Sequence, residues 1–332
     1  MPPVPAAVLP LPAFEARYGV RLLTGLAPVP ILPLAYAPWL YLTPAHLALQ
    51  YGPGERLHFL LEETEPGRTV AQLTVFLSAD ATTARSHWQA PFGGVQMAPE
   101  LPKAVLTEFL RAVEAELRAL GIRRFTVRAH AFAYEPAASA CLTEVLTRLG
   151  FQVLLAELNN HLPLDQEYTA RLHPSERRRL LKCERHGLRF EQEPPLLLPL
   201  AYEFLRRCRE EKGQELSMTL EQLQTLFQAL PRQVFLFSVR DAAGDWAALT
   251  IAIQVRFDVL YNFYPASPLA YNSLSPVVLL NAGLHAFGRA SGMRLLDLGT
   301  STLPEGLNQS LLRFKRHLGG VPSLKLTFEK AL

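Results

Sequence analysis

The sequence predicts an α/β protein built from two tandem units, each a mixed sheet flanked by helices. Three observations carry this. The order helix, glycine, strand, helix, glycine, strand occurs twice. The glycines that end the helices are almost equally spaced, Gly121 and Gly150 being 29 residues apart and Gly292 and Gly319 27 apart. Apolar residues recur every three to four positions in the helical stretches and every two in the strands, the periods that separate the two structures.

In the first copy, KAVLTEFLRAVEAELRAL (103–120) puts Leu106, Phe109, Leu110, Val113 and Leu117 on one helical face, and Gly121 is the expected stop. The strand IRRFTVRAH follows, alternating through Phe125, Val127 and Ala129. A second helix through Leu142, Val145, Leu146 and Leu149 stops at Gly150, and FQVLLAEL leaves as a strand. In the second copy a helix runs from about Ser275 to Gly292, MRLLDLG is a strand, a helix begins near Pro304 and ends at Gly319, and SLKLTFE is the last strand. Between the copies lie the charged helix HPSERRRLLKCERHG, ending at Gly187, and the strands VFLFSVR, WAALTIAIQ and RFDVLYNFYP, the first two joined by the turn DAAGD. The boundary is expected near Leu164, giving units 1–164 and 165–332.

The bulk numbers fit two ordinary domains. The 332 residues are 49% hydrophobic and 19% charged, enough for buried cores and too apolar for a disordered chain. A formal charge of +3 and a pI near 8.8 permit an anionic partner without requiring one. Cys141, Cys183 and Cys208 have neither metal-ligand nor redox spacing, which suits a reducing compartment. The start, MPPVPAAVLPLPAF, lacks a signal peptide's positive end and unbroken apolar run. Pro28, Pro30, Pro33 and Pro38 break LAPVPILPLAYAPWLYL, so no spanning helix is expected. A cytoplasmic protein is expected, with its proline-rich N-terminal region a candidate for contact with a membrane surface or partner. The nine histidines form no metal constellation, and no nucleophile-and-base pair is legible.

One residue breaks the pattern. In LLRFKRHLGG (311–320), Leu311, Phe314 and Leu318 continue an apolar stripe from Leu307. Lys315 lies beside that stripe on the flank that carries Asn308, where a long stem can follow apolar surface and present its ammonium to a cleft. Counting back from Gly150 instead of Gly319 places Leu146 at the lysine position and Ser139 at the asparagine position. One copy has hydrocarbon where the other has a cation, so the second unit is the candidate chemical unit. The plain alternatives are a snorkelling lysine favoured by the helix dipole and an asparagine that only caps.

This order resembles the GNAT acyltransferase fold, whose last helix commonly carries Asn, then Tyr seven residues later, then Gly four after that. Asn308, Lys315 and Gly319 have this spacing, with Phe314 before the lysine. A tandem pair whose second copy carries Phe-Lys here resembles the FemAB/FemX aminoacyltransferases; the helix SERRRLLKCERHGLRFE and the loop APFGGVQM add to the likeness, which covers roughly residues 75–330. The resemblance implies a degenerate first unit, a catalytic second unit, and an amide formed between an activated aminoacyl or acyl donor and an amine. The acceptor it implies is a cell-envelope precursor, of peptidoglycan or a glycoconjugate. No permanently bound cofactor or metal is implied; aminoacyl-tRNA or acyl-CoA would be a substrate. Acyl-CoA enzymes of this fold normally carry an Arg/Gln-x-x-Gly-x-Gly/Ala loop that cradles pyrophosphate. The corresponding PASPLAYNSLSPVV has no glycine, which counts towards tRNA while leaving CoA open. With lysine in place of the tyrosine, the expected role is stabilisation of the developing oxyanion by Lys315, with Asn308 beside it.

Further candidates for substrate binding are weighed against plainer roles. Arg177, Arg178, Arg179 and Lys182 suit the phosphates of a nucleotide-linked acceptor or tRNA, or form a solvated helix with Glu176 and Glu184. Ser86, His87, Gly93 and Gly94 form an acceptor-side loop or a tight turn. Asp297 orients the amine or caps a turn, and Ser301 follows it. Tyr261 and Phe263 alternate on one strand as core or cleft lining. The rival functions are an acyl-CoA-dependent N-acyltransferase and a catalytically silent scaffold that binds a sugar nucleotide or a protein.

Overall fold

The computed structural model describes residues 7–9, 11–14, 16–26 and 29–332. Met1 to Ala6 and Pro28, parts of the proline-rich region considered for membrane or partner contact, lie outside the described residues. The chain divides into two compact units, Met1–Glu157 with Leu324–Leu332, and Leu158–Ser323.

In the first unit, β1 (Ala7–Leu9), β2 (Tyr18–Thr24), β3 (Arg56–Glu63) and β4 (Arg68–Leu77) pair antiparallel in that order, with the one-turn helix α1 (Pro44–Leu47) between β2 and β3. Both β5 (Thr83–Arg85) and β6 (Val95–Met97) pair with β4. After α2 (Lys103–Ala119), β7 (Arg124–Ala131) lies parallel to β5, and α3 (Pro136–Arg148) leads into β8 (Gln152–Pro163), which carries the chain onward. The face of α2 read from the sequence is the buried one, since Leu106, Phe109, Val113 and Leu117 have no exposure.

The second unit begins with the helices α4 (Tyr168–Arg171) and α5 (Pro174–Arg185), then β9 (Arg189–Glu193), α6 (Leu198–Glu210) and α7 (Leu220–Ala229). The strands β10 (Val234–Arg240), β11 (Trp246–Arg256) and β12 (Val259–Asn262) continue antiparallel from β9. Beyond α8 (Val277–Ala290), β13 (Leu295–Thr300) lies parallel to β12 and antiparallel to the second part of β8. A small hairpin, β14 (Thr302–Leu303) with β15 (Gly306–Leu307), precedes α9 (Gln309–His317). From Leu324 on, the last strand β16 (Val321–Ala331) belongs to the first unit, antiparallel to β7.

The duplication is visible in strand order. The first unit runs β4–β5–β7–β16 and the second β11–β12–β13–β8, each with one parallel pair between antiparallel ones. The helix ends match as well. The N–H groups of Ile122, Phe151, Met293 and Gly320 each reach back five residues, to the carbonyls of Leu117, Leu146, Gly288 and Lys315, at 2.9–3.0 Å. This closing bond turns the chain through a left-handed residue, and Gly150 (φ 88°) and Gly319 (φ 87°) supply it.

Two expectations differ from what is found. The division expected at Leu164 falls at 157/158, and the segment 324–332 lies with the first unit, because Leu326 and Phe328 are packed in that unit's core. The helix expected from Pro304 starts at Gln309, so Leu307, placed on its apolar stripe, sits in β15 and is 40% exposed.

The parallel pairs position the candidate site residues. Pairing of β5 with β7 covers three residues, 83–85 against 124–126, and that of β12 with β13 three, 259–261 against 295–297. Beyond these points neither pair continues its ladder, which leaves an opening in the hydrogen bonding. In the first unit the chain itself closes the opening: Ser86 N–H donates to the Thr126 carbonyl, Gly93 N–H to that of Arg128, and Ser86 Oγ accepts from the N–H groups of Gly94 and Arg128. A Cβ on Gly93 would stand 1.7 Å from the Ser86 carbonyl oxygen. Gly93→Ala is therefore expected to cost more than ~1 kcal/mol, read as a lower midpoint in urea; an unchanged midpoint would show that the loop does not fill this space tightly.

Candidate active site

Near the matching ladder end of the second unit stands a cation. Lys315 is the one buried residue of α9, 7% exposed, although a position at the edge of the packed face was expected. Its Nζ donates to the carbonyls of Gly299 (2.9 Å) and Thr300 (2.7 Å), where β13 runs beyond its pairing with β12. An ammonium has three donors, so one remains after these two bonds. Burial brings its pKa from 10.5 down to about 8, against the opposing pull of Asp297.

The end of β13 that holds the lysine is built from buried polar groups. Asp297, 4% exposed, accepts from the Asn159 side chain (2.8 Å) and from Gly299 N–H (2.7 Å), which fixes the irregular end of β13, where its register with β8 shifts. Ser301 Oγ accepts from the Asn160 side chain (2.9 Å), and its N–H donates to the Leu158 carbonyl. The Tyr261 ring lies against Gly299, within 3.6 Å of where a Cβ would be. Asn308 ties α9 to the end of β13, its N–H donating to the carbonyl of Ser301, the next residue.

Lys315, Asp297, Ser301, Tyr261 and Asn308 are thus gathered around residues 297–301. The sequence reading missed Asn159, Asn160 and His161, although three polar residues interrupting the apolar strand FQVLLAELNNHLPL were a usable signal. Asn308 Oδ1 accepts from Leu311 N–H (3.0 Å) and the Ser310 hydroxyl (2.9 Å), which is capping geometry. Asn308→Ala should lower stability by about 1 kcal/mol, the usual cost of a lost cap. A melting curve and a transfer assay on one preparation check this; a large rate loss without a stability change would give Asn308 a part in the chemistry.

The remaining candidates lie elsewhere. Arg178 is exposed on α5, whereas Lys182 donates to the Ser273 carbonyl (2.8 Å) and Cys183 to that of Leu274 (3.1 Å), so α5 secures the loop before α8. Glu176 pairs with Arg179. Ser86, Gly93 and Gly94 form the plug described in the first unit, and His87 follows Ser86 among Arg85, Arg128 and Lys325. Burial foremost, with those cations, pushes its pKa down to about 3. A groove of about 660 Å³ runs along α6 and the β10–β11 turn, lined by Leu200, Phe204, Arg207, Trp246 and Tyr271 among others; none of the expected site residues borders it. Among the described residues no group of three or more His, Cys, Asp or Glu side chains is placed to hold a metal, and no helix is long and apolar enough to cross a membrane.

A mixed sheet that opens at one parallel pair, repeated in tandem, is the GNAT arrangement that the sequence resembles. Neither a family model nor a curated protein sequence matches the chain. Solved structures do. FemX is similar at 12% identity and a TM-score of 0.63, over 83% of this chain and 87% of its own. A tandem GNAT protein from the clavulanic acid biosynthesis pathway is similar at 14% identity and a TM-score of 0.50, over 87% and 86%. The C-terminal domain of a putative lysylphosphatidylglycerol synthetase from Agrobacterium fabrum is similar at 11% identity and a TM-score of 0.52, over 78% and 81%. The fold is therefore that of a tandem GNAT protein of the FemX type.

Proposed function

We propose that this protein is an N-acyltransferase whose second unit transfers an aminoacyl group from tRNA to an amine of a cell-envelope precursor. The observation that carries the reading is the contrast between two equivalent openings. At one, the loop 86–94 takes up the hydrogen bonding; at the other, the buried Lys315 ammonium is held on the Gly299 and Thr300 carbonyls with a third donor remaining.

The chemistry follows from that geometry. A neutral amine attacks the ester carbonyl, the C–N bond forms, and negative charge develops on the carbonyl oxygen. An ammonium already oriented and desolvated stabilises that charge with little reorganisation. Collapse breaks the bond to the ribose oxygen, which leaves with a proton. With its pKa near 8, Lys315 is mostly charged at neutral pH.

Support for a tRNA donor comes from the glycine-free loop before α8, two of whose carbonyls already accept from Lys182 and Cys183. The likeness to the domain of a putative lysylphosphatidylglycerol synthetase supports an aminoacyl group as what is transferred, without bearing on its carrier. Exposed Arg177, Arg178 and Arg179 would meet phosphates of tRNA or of a nucleotide-linked acceptor. A second reading, transfer from acyl-CoA, is favoured by the likeness to the tandem GNAT protein of the clavulanic acid biosynthesis pathway, a structure described as being without AcCoA. The test supplies tRNA charged with labelled amino acids, and separately labelled acetyl-CoA, to amine-bearing envelope precursors. Label should pass from tRNA. Transfer from acetyl-CoA alone would favour the second reading, and transfer from neither would leave a binding scaffold.

A further inference from the structure

Across β12, β13 and β8, three residues stand directly opposite one another: Tyr261 is paired with Asp297, and Asp297 with His161. Opposed residues share a face of the sheet. Asp297 is held by the Asn159 side chain and by Gly299 N–H, so its carboxylate cannot wander. The Nδ1 of His161 is buried and has no hydrogen-bond partner, a rare condition that calls for an explanation. Lys315 grips the carbonyls of Gly299 and Thr300 on the same strand as Asp297.

The first copy provides a control. Its corresponding row is Arg85, Thr126 and Glu329, paired in the same way, with Thr126 donating to Glu329 (3.2 Å). No imidazole occurs there, just as no lysine occurs at Leu146. The histidine and the lysine therefore appear together, in the copy whose opening is not plugged.

Resting on the acyl-transfer reading, we infer that His161, standing opposite Asp297 on the next strand, is the base that takes the proton of the attacking amine. As the C–N bond forms, a proton moves from nitrogen to the imidazole while Lys315 stabilises the oxyanion. On collapse the donor's C–O bond breaks, and the imidazolium returns the proton to the departing ribose oxygen. The balance is one proton taken and one returned. A base within reach of the amine contributes typically 10²–10⁴ in rate.

The groups facing His161 set its titration. Burial lowers its pKa, Asp297 raises it and Arg294 lowers it, while Tyr261 stands beyond Asp297 in the same row and Lys315, on α9, interacts with Asp297. The imidazole is thus neutral, and able to accept, at physiological pH.

Two measurements test this, one of them independent of activity. NMR titration of the whole protein should give His161 a lower pKa in Asp297→Asn than in wild type; an unchanged value would overturn the pairing. Single-turnover transfer, followed against pH, should lose its acid limb in His161→Gln and slow by roughly 10²–10⁴, with partial rescue by added imidazole. A folded His161→Gln that keeps the wild-type rate and acid limb would overturn the role. Absence of transfer in wild type would instead sink the acyl-transfer reading, and the titration would still decide the pairing.

Discussion

Replacing Lys315 by alanine is expected to lower the rate of acyl transfer by roughly 10²–10³, the scale for losing one donor to a developing oxyanion. Lys315→Arg should recover little, because a planar fork cannot seat on the Gly299 and Thr300 carbonyls and still present a compact charge. Burial adds a consequence for stability. The group's folded pKa is about 8 against 10.5 in the open chain, so between those values the unfolded chain binds more protons. Wild-type stability should therefore rise with pH over roughly 8 to 10.5, and the burden of the buried charge is fully present below 8. Lys315→Met should lack that rise. Denaturant midpoints at pH 7 and pH 10 for both proteins measure it, and equal slopes would place the ammonium in water.

Leu146→Ala is the complementary expectation. Leu146 occupies in α3 the position of Lys315 in α9, with no exposure and a place in the first unit's core. The change should leave a cavity and cost about 2–5 kcal/mol. Its main-chain bond from Phe151 N–H survives in alanine, so the loss is one of packing. The fraction that stays folded should transfer at the wild-type rate. A variant that melts normally but loses activity would give the first unit a chemical part that a plugged opening does not explain.

The helical faces and the stop glycines were legible because each follows from local periodicity and from backbone geometry that only a few residues tolerate. Alternation in SLKLTFE marked a strand, but period two does not say which sheet receives it. Leu326 and Phe328 settle that through long-range packing. In PEGLN the proline and glutamate read as a helix start, yet Thr302–Leu307 folds as a hairpin and leaves the cap to Asn308. Lys315 stood out as an irregularity, but its depth depends on carbonyls fifteen and sixteen residues away. His161 escaped notice because its partner Asp297 lies on another strand.

The central claim is that a charged Lys315 acts in the chemical step. The most direct measurement is the single-turnover transfer rate against pH, from charged tRNA to hydroxylamine, an acceptor that is already neutral across the range. The rate should fall about tenfold per pH unit above roughly pH 8 as the ammonium is lost. Lys315→Arg, which stays charged, should be slow but show no fall. A wild-type rate that stays level through pH 10 would contradict the account.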